Sequence, residues 1–309
     1  MSLNIIRGIE NFHKNDHKTV VTIGTFDGVH RGHQAILKKL ADTASKRNLP
    51  PLAITFEPHP RVLVTPDSPP PLLTCLNEKI RLFTKYFEGT FLVLNFNDHL
   101  KNLNAEEFTT EYLVEKMNLA KLIVGYDHAF GKNRSGTIND LMNLSRRYSF
   151  ELEIVDPVIV DGRPISSTRI RKAMAGNNYS QALSLLGHPY PIGGRVIRGI
   201  GLGKKIGYPT ANLEVSSRKL LPADGVYSCR AEMGKQTFDG MMFIGKNNFN
   251  PGAERSVEVN LFDFNEDIYD REIFCYPEIF IRENRKYTET SELIRQLEID
   301  KKNVLMSKE

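Results

Sequence analysis

The sequence predicts an α/β chain in two parts. A parallel sheet covered by helices comes first, and an antiparallel β-barrel or sandwich closed by a terminal helix follows. Three observations carry this. The first half alternates short apolar runs with amphipathic segments, the signature of a parallel sheet. The pattern changes at His188-Pro-Tyr-Pro191. Beyond that point come glycine-punctuated, strand-like runs with turn residues between them, as in barrels and sandwiches. At 309 residues the chain has room for two ordinary domains, and the boundary is set at 1–186 and 187–309.

Each element follows from local pattern. Residues 20–23, Val-Val-Thr-Ile, read as a buried strand, and 32–47 as a helix. Residues 52–56 and 91–96 are apolar strands, with a helix over 77–87 between them that carries Ile80, Phe83 and Phe87 at helical spacing. A helix over 105–117 places Phe108, Tyr112 and Leu113 on one side. Strands at 121–124 and 152–155 flank a helix at 138–148, and helices at 167–175 and 179–186 close the first part. Strands are expected at 194–198, 225–232, 238–244, 256–264 and 272–282. The last helix, 291–305, has Leu293, Ile294, Leu297 and Val304 as its apolar side.

Composition narrows the function classes. The net charge is +4, too small an excess to argue for nucleic acid. The basic residues instead sit near the motifs, as phosphate ligands do. Three cysteines, Cys75, Cys229 and Cys275, have no metal spacing and suit free thiols in a reducing cytoplasm. No apolar run approaches a membrane span, and the first residues lack a signal-peptide pattern.

The densest motif is Gly24-Thr-Phe26-Asp27-Gly28-Val-His30-Arg-Gly32-His33. It stands between the first strand and its helix. A helix N-terminus there offers unpaired N–H groups and a positive dipole end, which suit phosphate. Gly24 and Gly28 allow a tight turn and close approach of a ligand. His-x-x-His alone also fits a metal site or an ordinary helix face, but no His/Cys partner set at ligand spacing accompanies it. The segment resembles the nucleotide site of the nucleotidyltransferase superfamily, whose members split ATP or CTP between the α- and β-phosphates.

Further segments fall at strand ends or helix starts on one expected sheet edge. They are Phe56-Glu-Pro58-His59-Pro, Gly125-Tyr-Asp127-His128-Ala-Phe130-Gly131, the basic loop 131–136, and Ile165-Ser-Ser167-Thr168-Arg-Ile-Arg171. Their chemistry suits adenylyl transfer to a phosphate. The nucleophile is already an anion, so no strong base is needed. Catalysis must hold two anions in line and neutralise the departing pyrophosphate. His30, His33, Ser167 and Thr168 can donate, Arg171 can grip phosphate bidentately, and Mg2+ would bridge the triphosphate. Together with the opening motif these segments resemble the adenylyltransferase module of bacterial bifunctional FAD synthetases. The resemblance implies a Rossmann-like nucleotidyltransferase domain. It implies catalytic roles for His30, His33 and Arg171, and ATP binding by Gly24, Phe26, Asp27, Gly28, Gly32, Ser167 and Thr168. Phe56, Pro58, His59, Asp127 and Phe130 would bind flavin. His128 departs from the family's usual Phe.

The second half carries Gly199-Ile-Gly201-Leu-Gly203-Lys204-Lys-Ile-Gly207-Tyr-Pro209-Thr210-Ala-Asn212. Glycines and lysines can form a flap around phosphate, and Thr210 and Asn212 are neutral oxygen ligands for Mg2+. In a strand, Glu258, Asn260 and Phe262 share one face, and Glu258 can serve as general base for a hydroxyl. With Pro222-x-x-Gly225-Val-Tyr227 and Ile281-Arg282-x-x-x-x-Tyr287, these segments look like the riboflavin kinase module. The resemblance implies a small β-barrel, ATP binding by Gly201, Lys204 and Gly207, Mg2+ on Thr210 and Asn212, and proton abstraction by Glu258. Departures occur at residues 245–250, where the family usually has Gly-x-x-Pro-Thr and this chain has Gly245-Lys-Asn247-Asn248-Phe-Asn, at Asn260 where His is common, and at Asp270 where Gly is usual.

The resemblance implies a bifunctional enzyme of flavin cofactor synthesis, spanning nearly the whole chain. One module makes FMN from riboflavin and ATP, and the other makes FAD and pyrophosphate from FMN and ATP. Rival readings are an FAD synthetase whose kinase module is impaired or inactive, and a non-catalytic flavin-binding regulator. Oligomeric state stays open, and neither nucleic acid nor membrane is expected as a partner.

Overall fold

A computed structural model describes residues 2–14, 16–128, 130–132, 136–246 and 255–306. The chain divides into two compact units. One comprises 1–71 with 79–167, and the other 72–78 with 168–309.

The first unit is a six-stranded sheet. Its strands are β1 (Leu3–Arg7), β2 (Thr19–Ile23), β3 (Pro51–Glu57), β4 (Gly89–Asn95), β5 (Leu119–Gly125) and β6 (Glu151–Val155). The order is β1-β4-β3-β2-β5-β6, and every pairing is parallel. All five residues of β2 are buried, and Val21, Ile23, Leu52, Ile54, Leu92, Leu94, Leu122 and Val124 join one core. The order turns back at β2, with β3 on one side and β5 on the other. Such a switch point opens a crevice at the strand's carboxyl end, where ligands bind. The helices that matter here are α1 (Arg31–Arg47), α2 (Leu76–Tyr86) and α3 (Ile138–Arg147).

Two features depart from sequence expectation. β1 was not foreseen because it is a half-exposed edge strand, whose side chains form no continuous apolar run. The helix expected over 105–117 begins as Ala105–Phe108 and continues as a π-helix over Thr109–Lys116. The Thr109 and Thr110 hydroxyls donate to the carbonyls of Ala105 and Glu106, at 2.7 and 3.0 Å, within this widened stretch. A two-residue ribbon follows β6, made of β7 (Ile159–Val160) and β8 (Arg163–Pro164).

The second unit holds a closed barrel rather than a sandwich. Its strands are β9 (Ile192–Ile197), β10 (Ala211–Glu214), β11 (Gly225–Met233), β12 (Gln236–Lys246), β13 (Arg255–Leu261) and β14 (Glu272–Arg282), in the order β10-β13-β12-β11-β14-β9. All neighbours are antiparallel. Closure removes the free edges that a short sheet would leave unpaired. β10 escaped the strand pattern because it has four residues and begins inside the Pro-Thr-Ala-Asn motif. The strand expected over 256–264 stops at Leu261, so Phe262 lies in a turn and packs with Val226, Met241 and Val304. Helices α4 (Ser167–Ala175), α5 (Tyr179–Leu186) and α6 (Thr290–Met306) complete the chain.

Two buried ion pairs fasten this unit. Asp300 of α6 is fully buried and takes a fork of bonds from Arg282 at 2.7–3.0 Å. Lys219 is buried too, and its ammonium donates to Glu78 at 2.7 Å and to the carbonyls of Leu73 and Pro191. The departures at Asn247 and Asn248, and residues 133–135 of the basic loop, lie outside the described residues.

Candidate active sites

The first site grows from the turn between β2 and α1. Gly24 N–H donates to the Ile54 carbonyl at 3.0 Å, closing the end of β2 against β3. Phe26, Gly28 and Val29 all take positive φ, at 48°, 86° and 38°. A β-branched valine there is costly and needs its surroundings to hold it. Phe26 supplies part of that hold. Its ring is buried, edge-on to His33 at 5.3 Å and to Phe83 of α2 at the same distance. Phe26 therefore supports the turn from within the core.

His30 is the N-cap of α1, and its Nδ1 accepts from the His33 N–H at 3.4 Å. That role leaves the proton of the neutral ring on Nε2, as a donor. The rings of His30 and His33 stack, with centroids 3.6 Å apart. His33 Nδ1 is buried without a hydrogen-bond partner. Burial, then the charges of His30 and Lys79, hold the His33 imidazole well below its ordinary pKa. Gly32 lies close under the pair, since a Cβ there would stand 3.2 Å from the His30 ring. Asp27 is buried, and its carbonyl accepts from Ser167 Oγ at 2.9 Å, joining the start of α4 to this turn. Thr168 is exposed at the next position. Arg171, four residues after Ser167, shares its helix face.

The residues expected at flavin lie at neighbouring strand ends. Phe56 is half-buried near the end of β3, edge-on to Phe96 at 5.6 Å. Pro58 follows a cis peptide bond, and His59 Nδ1 accepts from the Arg61 N–H at 3.2 Å. Asp127 is exposed in the turn after β5, and Phe130 packs edge-on against Phe108 at 5.6 Å. The structure also reveals Lys79 of α2, buried near the turn, with its Nζ 3.4 Å from Thr55 Oγ1. Thr55 in turn donates to the Thr25 carbonyl. The available signal was its spacing: Lys79 and Phe83 are four apart on one helix face.

The second site lies in a pocket of the barrel unit lined by Gly201, Gly203, Thr210, Asn212, Glu258, Asn260 and Tyr287. β10 and β13 place Asn212 directly opposite Glu258 in register. Glu258 accepts from Ser256 Oγ at 3.2 Å. Asn260 is buried, and its Nδ2 donates to the Pro209 carbonyl at 2.7 Å, pinning the residue before Thr210. Gly203 is required by close approach, because a Cβ there would collide with the Tyr208 carbonyl. Lys204 is exposed on the short helix Leu202–Lys205, and Gly207 lies just beyond it, neither lining the pocket. The Tyr287 hydroxyl is buried without a partner. Asp270, standing where a glycine was expected, takes a positive φ of 63°, a conformation that aspartate tolerates.

Among the described residues no group of three or more His, Cys, Asp or Glu side chains could hold a metal ion. None of the helices among them is long and apolar enough to cross a membrane.

Known proteins resemble this chain over nearly its whole length. Residues 12–169 match the FAD synthetase family, and residues 186–307 match the riboflavin kinase family. The bifunctional riboflavin kinase/FMN adenylyltransferase of Escherichia coli (strain K12) is 36% identical over 300 residues, covering 96% of each chain. The enzyme of the same name from Pseudomonas fluorescens is 35% identical over 301 residues, again covering 96% of each. A crystal structure described as a macrolide-efflux protein from Streptococcus pneumoniae is 34% identical, with a TM-score of 0.83 and 98% of each chain covered. With both domains present in order and relatives aligned almost end to end, the chain belongs to the bifunctional riboflavin kinase/FMN adenylyltransferase family, phosphorylating riboflavin to FMN and adenylylating FMN to FAD with ATP as co-substrate.

Proposed function

We propose that the two activities divide between residues 1–186 and 187–309, with the two-histidine turn as the adenylyl-transfer site and Glu258 as the kinase base. The observation that carries the first assignment is the His30 N-cap. Its Nδ1 accepts from the His33 N–H, which sets the neutral ring's proton on Nε2 beside the carboxyl end of β2, at the switch point of the sheet. In this reaction an FMN phosphate oxygen attacks the α-phosphorus of ATP, and the bond to the β-phosphate oxygen breaks as pyrophosphate leaves. His30, His33 and the start of α4 hold the phosphates in line, and Arg171 offsets the charge that builds on the leaving group.

In the barrel, Glu258 takes the proton of the terminal ribityl hydroxyl, whose oxygen then attacks the γ-phosphorus, releasing ADP. Thr210 and Asn212 supply hard, neutral oxygens, the donor set of a cation held mainly by nucleotide phosphates. They would hold Mg2+, which when bound supplies charge neutralisation on the transferring phosphoryl group. Asn260 keeps that pair in place through Pro209. Free thiols at Cys75, Cys229 and Cys275 support a reducing, cytoplasmic setting.

The test is direct. The protein is incubated with Mg·ATP and riboflavin, and separately with Mg·ATP and FMN, and the products are resolved chromatographically. FMN with ADP reports the kinase, and FAD with pyrophosphate reports the adenylyltransferase. Absence of FAD from FMN, with the protein folded, would overturn the first assignment.

A further inference from the structure

The barrel unit holds another cavity, of about 500 Å³, which shares no lining residue with the kinase pocket. Its volume is that of a small-molecule site. All of its lining residues belong to the unit that holds 168–309. One wall is aromatic. Tyr179 of α5, Tyr227 of β11 and Phe280 of β14 meet edge to face, with ring centroids 5.7 and 5.3 Å apart. Phe280 lies across Gly225, where a Cβ would strike its ring, yet it keeps 44% of its surface exposed. Both tyrosine hydroxyl protons are committed, Tyr179 donating to the Pro277 carbonyl at 2.6 Å and Tyr227 to the Ala223 carbonyl at 2.8 Å. The rest of the lining is rich in acceptors. Asp224 and Glu283 bring carboxylates, and Asn177 and Asn284 bring amide oxygens. Arg255 offsets Asp224, with its Nε 2.6 Å from Oδ1. Glu283 is exposed and makes no ion pair among the described residues. Asn284 donates through Nδ2 to the Ile244 carbonyl at 3.1 Å, while its Oδ1 is buried without a hydrogen-bond partner. Such an acceptor is costly to leave unpaired. Among the described residues no Lys, Arg or His lines the cavity.

We propose that this cavity is a binding site for a planar aromatic ligand that carries a protonated amine, its ring lying on Phe280 and its ammonium held by Glu283 and Asn284. Aromatic faces and carboxylates both attract a cation. The orphaned Asn284 oxygen gains a donor. Phosphate-bearing ligands are disfavoured, because phosphate is gripped by cationic side chains and the lining offers none. The charge preference is therefore opposite to that of the two nucleotide sites.

The test uses the full-length protein with isotopically labelled methionine methyl groups. Met174 lines this cavity and Met241 and Met242 line the kinase pocket, so one NMR spectrum reports on both. Each signal is assigned by its loss when that methionine is replaced by leucine. The probes are tryptamine, an indole bearing an ammonium, and indole-3-propionate, an indole bearing a carboxylate. Tryptamine should shift the Met174 signal saturably at concentrations up to about 10 mM and leave Met241 and Met242 in place. Indole-3-propionate should need at least about ten times the concentration for the same shift. Glu283→Gln should weaken tryptamine roughly fivefold, and Phe280→Ala by at least as much. Both variants should phosphorylate riboflavin at the parent rate, which shows that they are folded. A Met174 signal unmoved by tryptamine overturns the proposal, as does one moved equally by the two probes or a response confined to Met241 and Met242. A tryptamine midpoint unchanged in either folded variant overturns the binding mode.

Discussion

Replacing Lys219 by methionine should unfold the barrel unit well below its normal temperature. The ammonium is fully buried, and its donors are all engaged: Glu78 at 2.7 Å, the Leu73 carbonyl at 2.7 Å and the Pro191 carbonyl at 2.6 Å. It also lies 3.9 Å from the Tyr190 ring centroid. Methionine fills the stem's space but leaves the Glu78 carboxylate buried without its cation. Breaking such a pair costs about 3–5 kcal/mol. For a unit of roughly 150 residues, each kcal/mol lowers Tm by about 2–4 °C, so a drop of about 6–20 °C is expected. The pH dependence has a definite sign. Burial already holds the Glu78 carboxyl above its ordinary pKa, against the lowering effects of Lys219 and of the N–H groups of Gly193 and Cys75. Without Lys219 it rises further. A raised folded pKa means that stability is present while Glu78 is protonated and is lost as pH climbs through that raised value. The deficit of Lys219→Met against the parent should therefore be smaller at pH 5.5 than at pH 8. Calorimetric unfolding at both values reads it, and adding Glu78→Gln should recover the pH-dependent part. A loss under about 1 kcal/mol, or a deficit equal at both pH values, would refute this reasoning.

Other outcomes follow from the two sites. His30→Ala should abolish FAD formation while FMN formation continues, with a stability loss of about 1 kcal/mol for the missing N-cap. Glu258→Gln should slow phosphorylation of riboflavin by about 10²–10⁴ and leave adenylylation of supplied FMN intact, measured by single-substrate assays. Asn260→Ala strands the Pro209 carbonyl in the barrel, a loss of about 1–3 kcal/mol. Its kcat for FMN formation should fall while FAD formation from FMN stays normal, and unchanged kinase kinetics would dismiss the positioning role of Asn260. Removing Mg2+ with a chelator should stop both reactions, and adding it back should restore them.

Much of this molecule is written locally. The β2–α1 turn could be placed from sequence because an apolar strand, a glycine-rich stretch and a helical pattern meet within about 30 residues, as a βα unit requires. The change of hydrophobic period near His188 is likewise a property of neighbouring residues, whereas the compact units divide between residues 167 and 168. Helices α4 and α5 took the bounds expected for them because their apolar positions recur at helical spacing within a single segment. Edge strand β1 and four-residue β10 did not stand out. Their pairing partners, β4 for one and β9 and β13 for the other, lie far along the chain and decide them.

Sequence alone determined the two motif-bearing turns, the order of the modules and the residue types available for phosphate chemistry, because these depend on short-range pattern. Tertiary structure decided what surrounds them. Lys79 reads locally as a solvated helical charge, yet α2 buries it beside Thr55, where, after burial and the charge of His30, its own charge helps to lower the His33 pKa. Asn260 reads as a departure from a family pattern, yet the barrel's closure sets it against the Pro209 carbonyl, 51 residues away. Glu78 and Lys219 are 141 residues apart and become a buried pair only once the barrel forms. The physical reason is common to all three. Burial and charge depend on which distant residues exclude water from a group, and that is a property of the folded chain.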